Sequence, residues 1–268
     1  MQIRTCLRAA CASTAIAVAA ITASATASAA PVTAPPPPVP PGGLVTSFLN
    51  NQLVYCSIIC PLAVRTAETV AITAGQAPST FSTAMQAGDP TKAIGITAAS
   101  ITGPTDAEAE QTIVADGTVV APRALNAFEV GVVGLLDVGP AAAGGPSAIA
   151  DAVQTARQDT YTAMNLPIEP NPPPTVMPHG AAQVATVAAI DVGAAVAFPA
   201  FNDVLSGAFH TPDAMAQELA ATGDPARAMA AGADSVTAAG KAASGVVADA
   251  IANAADKIGV ATGGSPAR

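Results

Sequence analysis

The chain has no tryptophan and few aromatic or charged residues: 3% of its 268 residues are aromatic and 11% are charged. Alanine supplies much of the 51% apolar fraction, so little apolar surface is available for burial and the core is expected to be thin. Small side chains still let helix backbones pack closely. Because the chain combines low charge with high apolar content, we expect it to fold and not to be disordered.

Basic residues are scarce: 10 Lys and Arg stand against 19 Asp and Glu, a net charge of −9. Two of the ten, Arg4 and Arg8, lie in a predicted leader, so the remaining chain carries 8 − 19 = −11. Without a basic patch to neutralise phosphates, a nucleic-acid partner is not expected. Charge-driven docking to anionic lipid is disfavoured for the same reason.

Recognisable catalytic motifs are missing. Histidine occurs only at His179 and His210, and neither has a second histidine at the spacing of a metal site. The chain contains no Gly-x-Ser-x-Gly elbow, no His-Glu-x-x-His and no Gly-x-Gly-x-x-Gly, which excludes the usual signatures of hydrolases and dinucleotide-binding enzymes. We therefore predict no catalytic, cofactor or metal site and no enzyme activity. A cryptic hydrolase that uses one of the histidines is the remote alternative.

The first 43 residues have the layout of an export signal. Arginines precede an uncharged alanine-rich run, and Ala27-Ser28-Ala29 follows it, as in a secretory signal peptide. We predict a signal peptide over 1–29 with cleavage near Ala29, then a proline-rich extended tether over 30–43. The protein is accordingly expected to be secreted or to lie in the cell envelope.

Cleavage would leave two cysteines, Cys56 and Cys60. In an oxidising compartment this pair is expected to form a local disulfide. Residues four apart on a helix have Cβ atoms farther apart than a disulfide prefers, so we expect the helix to end near Pro61. Paired free thiols are the alternative, and a redox role lacks the Cys-x-x-Cys spacing.

The rest of the chain predicts an all-α fold of alanine-rich helices. Gly88-Asp89-Pro90 and Gly223-Asp224-Pro225 each combine a helix-ending glycine, an N-cap aspartate and a first-turn proline. These triplets predict helix hairpins with very short turns. Two more helix starts are expected at Thr105, in a capping-box pattern, and at Thr211-Pro212. A stripe that includes Met229, Val236 and Ile251 predicts a helix–helix seam near the C-terminus.

A second proline-rich stretch divides the chain. We predict a helical unit over 44–165, an extended linker over 166–179, a second unit over 180–262 and a disordered tail over 263–268. One Gly-Asp-Pro triplet lies in each unit, which is consistent with an internal duplication. The two units could instead form one bundle.

Two uncharged or nearly uncharged segments have the length of a membrane span, Leu44–Val64 and Ala181–Phe201. Polar residues crowd the first, Asp191 interrupts the second, and each contains a proline near its end. We expect both to be buried core helices, and no transmembrane helix in the mature chain.

The most varied segment of the chain is a candidate binding site. Arg123 and Glu129 could face a shared pocket lined by Phe128 and Leu135, which would take a ligand or a partner. The alternative is a turn at Asp116-Gly117 followed by an ordinary core helix with solvated charges.

The signal peptide, the proline-rich tether, the alanine-rich helices and the breaks of the form Met85 to Ala93 resemble alanine-rich exported proteins of mycobacterial type. The Gly-Asp-Pro breaks also resemble C-terminal regions of PE and PPE family proteins, although the N-terminal modules of those families are missing. The resemblance implies an envelope or extracellular setting in an actinobacterium. We expect a non-catalytic protein that acts through interaction surfaces with an unknown protein or envelope partner. The alternative is a carrier of an apolar, lipid-like small molecule.

Overall fold

The computed structural model describes residues 38–263, which contain helices and no strand. The predicted signal peptide, most of the tether and nearly all of the tail lie outside the described residues. The α-helices are α1 Gly43–Met85, α2 Pro90–Ala115, α3 Ala121–Ala141, α4 Pro146–Met164, α5 Gly180–Ala195, α6 Phe201–Thr222 and α7 Pro225–Ala261. The predicted all-α fold is confirmed.

Both Gly-Asp-Pro triplets form the predicted turns. Gly88 and Gly223 adopt left-handed φ angles of 83° and 71°, a conformation that favours glycine. The carboxylate of Asp89 accepts hydrogen bonds from two backbone N–H groups at the start of α2, and Asp224 does the same for α7. These caps replace the intrahelical partners that the first turn of a helix lacks.

Short π-helical segments join α2 to α3 and α5 to α6. The first, π1, is Asp116–Val120, and the second, π2, is Val196–Ala200. As a result, Pro90–Gly144 and Gly180–Thr222 are each one continuous helical rod, and the longer is about 80 Å long at 1.5 Å per residue. The turn at Asp116-Gly117, which the alternative interpretation of this segment required, is therefore wrong, because both residues lie in π1.

The helix starts expected at Thr105 and Thr211 are also wrong, because both residues lie inside helices. Thr105 donates its hydroxyl to the carbonyl of Ile101 one turn earlier and so does not act as an N-cap. Thr211 donates to Ser235 on α7. A proline inside a helix removes one backbone hydrogen bond, and the neighbouring rods hold these helices together across that gap.

The predicted disulfide between Cys56 and Cys60 is present, with a Cα–Cα distance of 5.1 Å. The helix end expected at Pro61 is wrong, since α1 continues through Pro61 and Pro78 to Met85. Pro61 leaves only the carbonyl of Ser57 without its usual helical partner, and Ser57 is exposed, so water can bond that carbonyl.

The rods pack in a linear order. α1 packs on α2, α2 on α6, and α6 on α7, while α7 also runs along α5. α4 packs on α3 and touches α1. The halves on either side of the proline-rich stretch therefore share packing, chiefly between α2 and α6. The two helices approach so closely at Gly95 that a methyl group there would collide with the backbone of Ala220.

The interior of this arrangement is thin and unusually polar. No large side chain among residues 38–263 is fully buried, and the buried apolar residues are mostly alanine and valine. Among the described residues, eight that are buried are polar or charged: Ser47, Asn51, Arg123, Asn126, Glu129, Gln183, Asn202 and Asp213. Many large apolar side chains instead face outward. Part of the molecule therefore has polar residues inside and large apolar residues outside, the reverse of an ordinary soluble domain.

The seam of α7 departs from the predicted stripe at three of its larger residues, whereas stripe members such as Val247 and Ile258 are half-buried. Met229, Val236 and Ile251 are all more than half exposed. The helix contacts its neighbours through small residues instead: Gly232 lies against Met215, and Ala239 lies against Gly207. Close backbone approach selects small side chains over larger apolar ones, which displaces the seam from the larger residues.

Within residues 38–263, three helical stretches are long and apolar enough to cross a membrane, judged by length and composition: Gly43–Met85, Pro90–Gly144 and Gly180–Thr222. This finding does not fit our prediction that the mature chain has no transmembrane helix. We expected prolines to shorten the segments, yet the helices run through Pro61 and Pro199. The expectation that Leu44–Val64 is a buried core helix is also wrong, because Ser47 and Asn51 are the buried residues of this segment and the rest is exposed or half-buried.

Candidate functional site

Two clefts flank α3 where the central rods separate. Along α2 and α6 the rods are joined by close packing and by a hydrogen bond from Thr102 to Asp213 of 2.8 Å. Segments π1 and π2 touch each other, and beyond them α3 and α5 make much sparser contact. π-helical turns often occur at functional sites. Here they mark the level at which the two rods diverge.

The proline-rich linker fills part of this opening. Pro122 has no N–H, so the carbonyl of Thr118 in π1 lacks its usual helical donor and accepts instead from the backbone N–H of Asn171 at 2.7 Å. Farther along, Asn126 bonds both the backbone N–H and the hydroxyl of Thr175. The linker is therefore held against α3 by specific hydrogen bonds.

Arg123 is 5% exposed and donates hydrogen bonds at the end of α4. Its guanidinium donates to the carbonyls of Met164 and Pro167, each at 2.8 Å, and to that of Leu166. It also donates to the side chain of Asn51 on α1 at 3.4 Å. The helix C-terminus presents free carbonyls and partial negative charge, so a buried guanidinium fits there. Arg123 thus ties α1, α3, α4 and the linker together.

The first cleft, which we call the apolar cleft, lies between α1, α3 and α4 and has a volume of about 330 Å³. Its principal apolar walls are Phe48, Phe128, Val132, Leu135 and Met164. Asn51, Gln52, Tyr55 and Thr160 contribute polar atoms to the lining, and no charged residue of the part of the chain that the structure describes lines it. Burial raises the pKa of Tyr55, and nearby Arg123 opposes that rise. Volume and lining are those of a small-molecule site.

Beside this cleft, α1 has polar residues in the interior and large apolar residues on the surface. Ser47 and Asn51 are buried, where they bond Asn165 and the carbonyl of Met164. Phe48 and Leu53 on the same helix are 55% and 71% exposed. A helix that turns its polar residues inward and its large apolar residues outward is suited to an apolar ligand, partner or membrane.

The second cleft, which we call the carboxyl cleft, lies between α3, α5, α7 and the linker and has a volume of about 800 Å³. Glu129 lies in its wall and is 3% exposed. Burial raises the pKa of Glu129 to about 8, and the carboxyl group of Asp191 adds to the rise through a hydrogen bond and its negative charge. The positive charge of Lys257 opposes this rise in the pKa of Glu129. Lys257 also forms an ion pair with Asp191 at 2.7 Å.

The four candidate site residues do not share one pocket. Phe128 and Leu135 line the apolar cleft, Arg123 lies buried beside it, and Glu129 lines the carboxyl cleft. Helix geometry gives the reason: a spacing of six residues turns Glu129 about 120° from Arg123, whereas a spacing of seven brings Leu135 back to the face of Phe128. Neither charge is solvated, contrary to the alternative interpretation. Whether these residues bind a ligand remains a prediction.

Sequence reasoning missed Asp191 and Lys257, the partners of Glu129. They lie 62 and 128 residues beyond it in the chain, and a single sequence does not reveal a contact over that distance. One signal was available, because Asp191 interrupts an otherwise uncharged apolar segment. Charged residues in such segments are costly and often functional.

Both histidines are exposed. His179 lies at the end of the linker predicted over 166–179, whereas His210 lies inside α6. Its Nδ1 lies 2.6 Å from a carboxylate oxygen of Asp106. A hydrolase nucleophile requires a base within hydrogen-bonding distance. Among the hydrogen bonds of the described chain, neither histidine ring is bonded to a serine or cysteine.

The resemblance to alanine-rich exported proteins and to PE and PPE family regions remains a prediction. Its strongest motif, the Gly-Asp-Pro break, is accounted for by helix capping in this fold. Comparison with known protein families, curated proteins and solved structures finds no match to this chain.

Proposed function

We propose that this is an exported, non-catalytic protein of the cell envelope or extracellular space that binds lipid-like apolar molecules in the apolar cleft. The observation that carries the proposal is the pairing of an uncharged 330 Å³ cleft with outward-facing phenylalanine and leucine side chains at its edge. Such a surface costs free energy in water at about 25 cal/mol for each Å² of apolar area. Covering it with an apolar ligand recovers part of that free energy.

The predicted interaction with an envelope partner is compatible with the same surface, since exposed apolar patches also mark protein interfaces. The cleft favours a small ligand because it is concave and its walls come from three different helices.

Binding of the neutral, apolar fluorophore diphenylhexatriene tests the proposal. Phe128 lines the cleft and is 58% exposed, while Phe201 is 57% exposed and lies outside the lining residues, so Phe128→Ser and Phe201→Ser are matched variants. We expect Phe128→Ser to weaken binding about tenfold, the equivalent of about 1.4 kcal/mol of lost apolar contact. Phe201→Ser should bind like the unmodified protein. Equal binding by both variants would overturn the assignment of the cleft.

Membrane association is a second candidate, favoured by the three long apolar helices. Flotation with neutral phosphatidylcholine vesicles distinguishes the two. Soluble protein that stays with the aqueous fraction and binds the fluorophore in a saturable way supports the ligand-binding proposal. Protein that floats with the vesicles, and does so equally with Phe128→Ser, supports the membrane candidate instead.

A further inference from the structure

The carboxyl cleft is chemically unlike the apolar cleft. Its walls are formed largely by proline and valine: Pro174, Val176, Pro178, Val184, Val187 and Val260. The charged groups, Glu129, Asp191, Asp256 and Lys257, come from three helices that meet in this cleft. A ligand that fills the space therefore needs an apolar body and a polar group that these residues accept.

Glu129 has hydrogen-bonding capacity that the protein does not use. Its side chain is almost fully buried, and the Oε1 atom has no hydrogen-bond partner among the described residues. The nearby ammonium of Lys257 is engaged with Asp191 at 2.7 Å. A buried carboxyl oxygen without a donor is costly, so the cleft lacks a donor at this position.

The charges select the kind of donor. Three carboxyl groups face the cleft against one ammonium group, so a carboxylate or phosphate ligand would be repelled. A cationic N–H donor would satisfy the free oxygen and reduce the repulsion between Glu129 and Asp191. The surrounding proline and valine side chains would contact a hydrocarbon chain.

We propose that the carboxyl cleft binds a cationic amphiphile, such as a primary alkylamine, whose ammonium group donates to Glu129 and Asp191. The hydrocarbon chain lies against the linker and α5, where Val176, Val184 and Val187 line the cleft. This site is separate from the apolar cleft and would hold whether or not the proposed function is correct.

Proton release accompanies this binding. Because burial and Asp191 raise the pKa of Glu129 to about 8, Glu129 carries a proton at neutral pH, and this proton goes to solvent when the ammonium group pairs with the ionised carboxylate. Below about pH 8, the affinity for the ammonium ligand should therefore increase with increasing pH, by up to about tenfold for each pH unit. The charged groups that face Glu129 are Asp191 on α5 and Asp256 and Lys257 on α7.

Calorimetric titration with dodecylammonium chloride, below the concentration at which it forms micelles, tests the proposal. Since the protein is acidic overall, a cation also binds its surface weakly. Glu68→Gln controls for this binding, because Glu68 is exposed and the substitution makes the same Glu-to-Gln change at a surface carboxylate. We expect Glu129→Gln to weaken dodecylammonium binding at least tenfold and Glu68→Gln to leave it unchanged. Dodecanoate, with the same chain and an anionic head, should bind at least tenfold more weakly.

A second variant guards against an indirect effect of Glu129→Gln on folding. Val184→Trp fills the cleft without altering a charged group and should also abolish binding, while circular dichroism reports the retained helices. Equal weakening by Glu68→Gln, or equal affinity for dodecanoate, would overturn the proposal. Phe128→Ser should leave dodecylammonium binding intact. Loss of fluorophore binding alone would thus count against the proposed function and not against this site.

Discussion

The pH dependence of stability should be governed in large part by one residue, Glu129. In the folded protein the pKa of Glu129 is raised to about 8 from an ordinary value of 4.5. The folded state therefore holds this proton more tightly than the unfolded state does. The resulting stabilisation is complete below about pH 4.5 and is lost as the pH rises through about 8.

The expected magnitude follows from the pKa difference. Each pKa unit corresponds to about 1.4 kcal/mol, so integration from about pH 5 to about pH 9 gives a loss of about 4 kcal/mol in the free energy of unfolding. Small domains are stable by about 5–15 kcal/mol in total, so this is a large share. Glu129→Gln keeps the shape of the side chain and stays neutral, and should remove this part of the pH dependence.

Urea unfolding followed by circular dichroism at about pH 5 and about pH 9 measures the effect. Near pH 5 the variant and the unmodified protein should have similar stability, and near pH 9 the variant should be more stable by up to about 4 kcal/mol. Glu68→Gln, at an exposed position, should follow the unmodified protein throughout. Parallel curves for Glu129→Gln and the unmodified protein would refute the reasoning, because the proton would then not be held at Glu129.

Three further predictions concern helix packing, each measured by urea or thermal unfolding. Asp89→Ala removes the acceptor of two backbone N–H groups and should lower the free energy of unfolding by about 1 kcal/mol. Asp89→Asn should keep most of the stabilisation, because asparagine also caps helices. Equal losses in the two variants would exclude capping as the cause. Gly95→Ala should destabilise the protein, because the added methyl group would collide with the backbone of Ala220. At Gly240 the added methyl group meets open space, so Gly240→Ala should stabilise the protein by about 0.5–1 kcal/mol. Arg123→Met should cost about 2–4 kcal/mol and speed proteolysis of the linker, and an unchanged linker would contradict its anchoring role.

The features that could be predicted from sequence are those that depend on neighbouring residues. The two Gly-Asp-Pro turns were recognisable because one glycine ends the helix and the next aspartate caps the following one within a few residues. The Cys56–Cys60 disulfide is equally local. All of these follow from chemistry within about one helical turn.

The errors share a cause that lies outside local sequence. Pro61 and Pro212 were expected to end or start helices, yet both lie inside them. A proline in a helix interior costs about 3 kcal/mol, and packing against a neighbouring rod outweighs that cost in helices of this length. The neighbour is distant in the sequence, so propensity alone gave the wrong boundary.

The candidate site was partly accessible from sequence. The varied segment around Arg123 and Glu129 proved to border both clefts, but the direction of each side chain could not be assigned. A helical pattern of polar and apolar residues has the same period whichever face is buried. Choosing the polar face as the outer one is the usual assumption, and it fails for α1 and α3.

Interrupted helices explain why polar residues lie inside. Where a helix ends or contains a proline, backbone carbonyls lose their helical donors, and buried carbonyls must find others. Arg123 supplies donors at the end of α4, and the N–H of Asn171 serves the carbonyl of Thr118 in π1. Because Arg123 on α3 and Asn51 on α1, which also donates to Met164 at the end of α4, occupy inward positions, apolar residues such as Phe128 and Phe48 are left on the outside. The same backbone requirement that turns polar groups inward thus creates the apolar surface to which we assign ligand binding.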